Sequence, residues 1–196
     1  VCRPRLVNLT QVTARTDIPW QAKRGVGFWR GTDRGAVNWA RSLQEIMGRG
    51  SPRKNFLDTV MEKAGDKGHQ SASEDQPLYD VAFLEDELTD STVVKSDPNF
   101  VPLDQQSHWK YIVDLPGNGY SGSLKQKLTG SSAVLLATDL GRGTPLYEHY
   151  HLGLANYHHV LPLRVENALA QLRWARSHDA EMQSMVTRAN RYMEGY

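Results

Sequence analysis

Tyr111-Ile112-Val113-Asp114-Leu115-Pro116-Gly117-Asn118-Gly119-Tyr120-Ser121-Gly122-Ser123-Leu124-Lys125-Gln126-Lys127-Leu128 is the most informative stretch of this chain. Its apolar opening, Tyr111 to Leu115, reads as a strand. Pro116 to Gly122 reads as a glycine-rich turn, and Ser123 to Leu128 as the opening of a helix that Gly130 ends. Ala133-Val134-Leu135-Leu136-Ala137 follows as an unbroken apolar run. Such a run marks a strand covered on both faces, as in a parallel sheet.

The same rhythm extends both ways. Upstream, Val26 to Trp29 is a short strand closed by Arg30-Gly31-Thr32. Val37 to Met47 predicts a helix with Val37, Ala40, Leu43 and Met47 on one face. Asn55 to Ala64 predicts another, with Asn55 as its cap. Residues 65–77 are polar and read as a surface loop. Tyr79 to Leu84 is a strand candidate, and 86–103 stays ambiguous, with Pro98 and Pro102 favouring loop near its end. Downstream, His159 to Leu163 reads as a strand, and Glu166 to Arg176 and Asp179 to Met193 as helices. Strands alternating with helices predict an α/β, Rossmann-like parallel sheet flanked by helices.

Composition narrows the function. With 196 residues and 39% hydrophobic content, the chain has room for one domain, or one lobe of a two-lobed enzyme. Lys and Arg total 23 against 22 Asp and Glu, and the net charge of +1 gives no electrostatic basis for nucleic acid as a partner. A single cysteine, Cys2, excludes an internal disulfide framework and a multi-cysteine zinc site. The chain begins at Val1 with no basic-then-apolar leader, so it is expected to be processed or a piece of something longer.

Chemistry concentrates at the turn. A glycine-rich turn beyond the carboxyl end of a parallel strand lets main-chain N–H groups approach a phosphate. Ser121 and Ser123 add hydroxyls, and Lys125 adds a charge. The same pattern also fits a tight connection that merely needs positive φ at its glycines. Its spacing matches neither the dinucleotide fingerprint nor a Walker loop. Arg30 to Arg34 suits an anion at the same sheet edge, or else Arg30 pairs with a carboxylate and Trp29 is core. His149, His151, His158 and His159 form two pairs of metal-ligand type, but no carboxylate or cysteine sits at metal-ligand spacing and Tyr150 separates the first pair, so no metal site is assigned; His159, at the start of a strand, is read as a hydrogen-bonding residue near the sheet edge. The methionines of the last helix are read as packing.

Five blocks then align with one family in order. Pro19-Trp20-Gln21-Ala22-Lys23 with Phe28-Trp29-Arg30-Gly31-Thr32 is the first, and Trp109 to Lys125 carries the strand and turn. Ser131 to Leu135, Leu154 to Leu163 and Leu172 to Gln183 complete the set. Together they resemble the Rumi-type protein O-glucosyltransferases and capsule-associated xylosyltransferases, glycosyltransferase family 90. The resemblance implies a two-lobed GT-B enzyme whose C-terminal lobe holds the nucleotide. It implies an inverting, metal-independent transfer of glucose or xylose from a UDP-sugar to a hydroxyl of a protein or glycan, without a cofactor. By position, Thr32 replaces a family serine that contacts the donor, and Asn118, Gly119, Tyr120, Ser121, Gly122 and Ser123 replace the donor-binding turn. The family works in the secretory pathway, so the lumen of the endoplasmic reticulum or Golgi is the expected compartment.

Three departures follow. Ser123 stands where animal members carry an arginine; plant-like members share the serine, which leaves Lys125 to supply charge. A second family arginine falls at Asn38, with Arg34 or Arg41 as possible substitutes. The family's catalytic aspartate belongs to an N-terminal lobe upstream of Pro19, so residues 1–18 are read as a remnant or linker and 19–196 as the donor lobe. No catalytic residue is assigned; nothing in the sequence places Asp33 or Glu148 in that role. A lobe separated from its partner is expected to expose an apolar edge, with Trp20, Trp29 and Tyr120 as candidates. The competing reading is a non-catalytic nucleotide- or partner-binding module derived from the same family.

Overall fold

A computed structural model of the chain describes residues 18–32, 52–65, 77–84, 97–115, 121–139 and 148–196. Five strands form one sheet: β1 (Arg24–Gly31), β2 (Tyr79–Phe83), β3 (Trp109–Asp114), β4 (Ala133–Asp139) and β5 (Leu161–Arg164). Their spatial order is β2-β1-β3-β4-β5, and every pairing is parallel. The helices are α1 (Pro52–Gly65), α2 (Leu124–Leu128), α3 (Ala168–Ser177) and α4 (Asp179–Met193). This is the Rossmann-like α/β architecture the sequence predicts. The predicted helix at 37–47 and nearly all of the polar loop at 65–77 lie outside the described residues.

Alternation along each strand builds two layers. Trp29, Tyr111, Val113, Ala133, Leu135, Leu161 and Leu163 face one side, where α1 and α3 bring Phe56, Leu57, Val60, Leu172 and Ala175. Val134 faces the other side with Leu124 and Leu128 of α2. Val26, Phe28 and Ile112 share that side beside Trp109. Helix α4 serves both layers: Met182 and Met185 join the first, and Ala189 and Met193 the second.

Some boundaries move. Helix α1 begins at Pro52, so Asn55 sits inside it and is not its cap. Proline suits a first helical turn, because its missing N–H would have no partner there. The predicted helix from Glu166 opens instead as a 3-10 turn, Val165–Asn167, before α3. Trp20 and Trp29, expected at an exposed apolar edge, are 6% and 4% exposed and belong to the core. Tyr120 lies outside the described residues.

The amino-terminal edge of the sheet is closed by long-range polar contacts. Asp179 opens α4, and its carboxylate accepts from Trp20 Nε1 at 2.9 Å and Lys110 Nζ at 2.7 Å. The Lys110 ammonium also lies 5.2 Å from the Trp20 ring centroid. Lys23, 5% exposed, donates to the main-chain oxygen of Ser107 and, at 2.8 Å, to Ser131 Oγ. Asn190 Nδ2 of α4 donates to the oxygens of Leu128 and Gly130, just ahead of β4. Two of the family-like blocks therefore meet in space: Trp20 and Asp179 are separated by 159 positions and share a hydrogen bond.

Two expectations follow. Gly27 packs against Tyr79, and a Cβ there would lie 2.5 Å from the Tyr79 ring. That ring is anchored by a 2.7 Å bond from its hydroxyl to Ala168 O. Gly27→Ala should therefore cost about 1–3 kcal/mol in urea unfolding through overpacking. Burial pushes the Asp179 carboxyl up, but hydrogen bonds from Lys110, Trp20 and Tyr111 outweigh it and hold the pKa below its ordinary value. A depressed carboxylate contributes stability that is full above its unfolded pKa of about 3.9 and is lost as pH falls through the folded value. The stability gap between wild type and Asp179→Asn, measured by urea unfolding, should be full near neutrality and shrink with acidification below about pH 4.

Candidate functional site

With the amino edge closed, the opposite edge is where chain direction places the ends of β1 and β3. The strand order reverses between these two strands, since the chain leaves β1 for β2 on one side and returns to β3 on the other. In open α/β sheets, the loops diverge at such a point and leave a crevice beyond the carboxyl ends. Thr32 follows β1 directly, and the glycine-rich turn follows β3.

At the end of β1, the main-chain oxygen of Thr32 accepts from Arg53 Nη1 of α1 at 2.5 Å. The Arg53 guanidinium lies 5.6 Å over the Trp29 ring. Gly31 admits that ring, since a Cβ at Gly31 would lie 2.7 Å from Trp29 Cζ2. Arg30 is turned to the neighbouring strand. Its Nη2 pairs with Asp80 Oδ1 at 2.5 Å, and its other nitrogens bond the main-chain oxygens of Trp29, Asp80 and Asn99. Arg30 thus pairs with a carboxylate and is a structural residue.

At the end of β3, Asp114 is 1% exposed. Its Oδ1 accepts from Ser121 Oγ and from Lys127 Nζ, both at 2.7 Å. Lys127 Nζ also donates to Val113 O at 3.3 Å. Ser121 Oγ and Ser123 Oγ are 3.2 Å apart. Proton counting orients this network: a hydroxyl has one proton, and Ser121 gives its proton to Asp114, so Ser123 is the donor between the serines. Both hydroxyl protons are engaged within the protein. The donors that such a turn offers to an anion are its main-chain N–H groups. Gly122 leaves room for an approach, because a Cβ there would meet nothing within 4 Å.

The predicted site residues divide accordingly. Thr32, Ser121, Gly122 and Ser123 are brought to the carboxyl edge. Asn118, Gly119, Tyr120 and Arg34 lie outside the described residues, as do Asp33 and Arg41. Lys125, expected to supply the charge, donates instead to the main-chain oxygen of Tyr196 at 3.0 Å. Positions two apart on a helix face different ways, so Lys127 reaches Asp114 while Lys125 does not. Sequence reading passed over Asp114, Lys127 and Arg53. Asp114 and Lys127 were readable only as strand and helix members, and the separation of Arg53 from Thr32 hides their contact.

The histidines serve local structure. His151 Nδ1 accepts from Glu148 N at 2.8 Å, and the Glu148 main-chain oxygen accepts from His151 N at 2.9 Å at the start of the 3-10 turn His149–Gly153. His159 Nδ1 accepts from Ala155 N at 3.0 Å. Burial, with His158 and Arg188 adding to it, holds the His159 pKa below its ordinary value. Among the described residues, no group of three His, Cys, Asp or Glu side chains is placed to hold a metal ion.

The serine network sets an expectation for stability. Ser121→Ala deprives the buried Asp114 carboxylate of a donor and should cost about 1–2 kcal/mol in urea unfolding. Ser123→Ala, whose partner is only a neutral hydroxyl, should cost less than about 1 kcal/mol.

The family model for glycosyl transferase family 90 matches residues 3–195. That span takes in the Pro19-Trp20 block, the Thr32 strand end, the Asp114 turn and the closing helix pair. The chain belongs to glycosyl transferase family 90, a class of enzymes that move a sugar from an activated donor to an acceptor.

Proposed function

We propose that this chain is the donor-binding lobe of an inverting, UDP-sugar-dependent O-glycosyltransferase of GT-B architecture. Glucose or xylose is transferred to a hydroxyl of a protein or glycan, without a metal, in the lumen of the secretory pathway. The observation that carries the reading is the reversal of strand order between β1 and β3, which sets Thr32 and the Ser121–Ser123 segment on one edge of the sheet. The turn from Asn118 to Ser123 and Thr32 are proposed to hold the diphosphate, with Arg34 as a further charge offered by the sequence. Main-chain N–H groups aimed at the leaving diphosphate would stabilise charge as it develops in the transition state.

Transfer also needs a carboxylate to take the acceptor proton. Asp114 is committed to Lys127 and Ser121. We assign the base to an N-terminal lobe outside residues 19–196. The alternative, a nucleotide-binding module without catalysis, draws support from serine at position 123 in place of an arginine.

Calorimetry with UDP, UDP-glucose and UDP-xylose tests the reading. UDP should bind with its affinity unchanged by a chelator, and Thr32→Val should weaken it several-fold through loss of one hydroxyl contact. A folded chain with no affinity for any of the three would refute it. Donor-dependent glycosylation by a longer chain, absent from residues 19–196 alone, would separate the enzyme from the non-catalytic module.

A further inference from the structure

We propose that the turn leading into β5 is a proton-operated latch, closed while the His159 imidazole is neutral and released when its Nδ1 gains a proton. Ala155 and His159 close this turn twice over. The Ala155 N–H donates to His159 Nδ1 at 3.0 Å, and the His159 N–H donates to the Ala155 oxygen at 2.9 Å. A main-chain N–H can only donate, so Nδ1 presents its lone pair and the ring proton sits on Nε2. A second proton, on Nδ1, would point at the Ala155 N–H and remove one of the two bonds. Inside the turn, Tyr157 holds a φ of 59°, in the left-handed region that a tyrosine rarely adopts. Such a residue stays in place only while its surroundings over-determine it. Here they are the Ala155–His159 pair, a 2.8 Å bond from Tyr157 N to Val160 O, and a 3.0 Å bond from Gln171 Nε2 to the Tyr157 hydroxyl.

The groups around the half-buried ring oppose an added charge. Within the turn, the His158 ring lies 4.5 Å away. On α4, the Tyr192 ring lies 4.8 Å away, and Arg188 Nε donates to His158 O at 2.8 Å. Glu181, on the same helix, is taken by Arg188 Nη2. The Tyr192 phenol is pushed up to about 12 by burial and by Tyr196 beside it, so it supplies no negative charge. Opening the turn returns the ring to its ordinary pKa of about 6.5. The open turn therefore takes up a proton at a pH where the closed turn does not, and acid favours the open form. What comes loose is a junction of three elements. Val160, fully buried, carries the chain into β5; Tyr157 packs edge-on against Trp174 of α3 at 5.6 Å; Arg188 ties the turn to α4. The latch stands independently of what the carboxyl edge of the sheet binds.

NMR of the His159 ring and amide hydrogen exchange across the turn, followed on the full chain from pH 8 to pH 5 and corrected for intrinsic exchange, test the latch. Above about pH 6.5 the ring should carry its proton on Nε2, and protection of the Ala155, Tyr157 and His159 amides should not vary with pH. Below that, opening of the turn should rise by up to about tenfold per pH unit until the closed ring itself titrates, while amides of β3 and β4 keep their protection. The Asp179 carboxylate does not interfere, since its effect lies below about pH 4. His159→Asn places an amide oxygen where Nδ1 stood and cannot gain a proton, so its turn should stay closed across the whole range. His159→Phe keeps a ring without an acceptor, and its turn should be open at every pH. A ring protonated on Nδ1 at pH 8 overturns the proposal. So does pH-independent protection of Ala155 in the wild type, or the same acid-induced opening in His159→Asn. Where neither variant folds, the wild type decides alone: a His159 titration at or above about pH 6.5 leaves no linkage between proton and turn, and the latch falls.

Discussion

The carboxylate of Asp179 joins parts of the chain that the sequence keeps far apart. It receives the indole N–H of Trp20, from the turn that leads into β1, and the ammonium of Lys110, from the second residue of β3. It belongs to the first residue of α4. Side-chain contacts of this kind are worth little when exposed. The Asp179 side chain is itself 41% exposed, but three donors, from Trp20, Lys110 and Tyr111, converge on its carboxylate at the point where α4 leaves α3. Helix α4 then runs past the amino-terminal ends of the strands toward Leu128 and Gly130. Lys23 adds a second tie, reaching the segments ahead of β3 and β4 from the same edge. The carboxyl edge is left to the loops, which is where chemistry belongs in such sheets.

This division gives the family-like blocks two different meanings. Trp20, Lys23, Ser131 and Asp179 make one polar clasp at the amino edge and act through architecture. Gly31 and Asp114 work at the other edge, one by admitting the Trp29 ring and the other by anchoring the turn. Arg30, adjacent to Gly31 in the same block, is committed to Asp80. One block thus contains a residue that ties neighbouring strands together and a residue that shapes the carboxyl edge of the sheet, side by side.

The strands were the most legible part of the sequence. Ala133 to Ala137 and Tyr111 to Leu115 are apolar because both faces of the sheet are covered, and that pattern survives without tertiary knowledge. Helix α4 was legible to its ends because its buried positions recur on one face. The start of α1 was missed because Asn55 mimics a cap while Pro52 performs the opening, and both rank well at helix beginnings. The site was legible as a turn but not as a network. The choice between Lys125 and Lys127 depends on helical rotation relative to β3, which no local pattern encodes. The burial of Trp20 and Trp29 was likewise invisible, since an indole suits an exposed edge and a core equally well until its neighbours are known.

Because α4 gives Met182 and Met185 to one layer and Ala189 and Met193 to the other, the two sides of the sheet share a structural member. Neither layer can loosen without withdrawing support from the second. The two faces of the sheet are thereby tied together, and damage beneath one is transmitted to the opposite face through a helix that touches both.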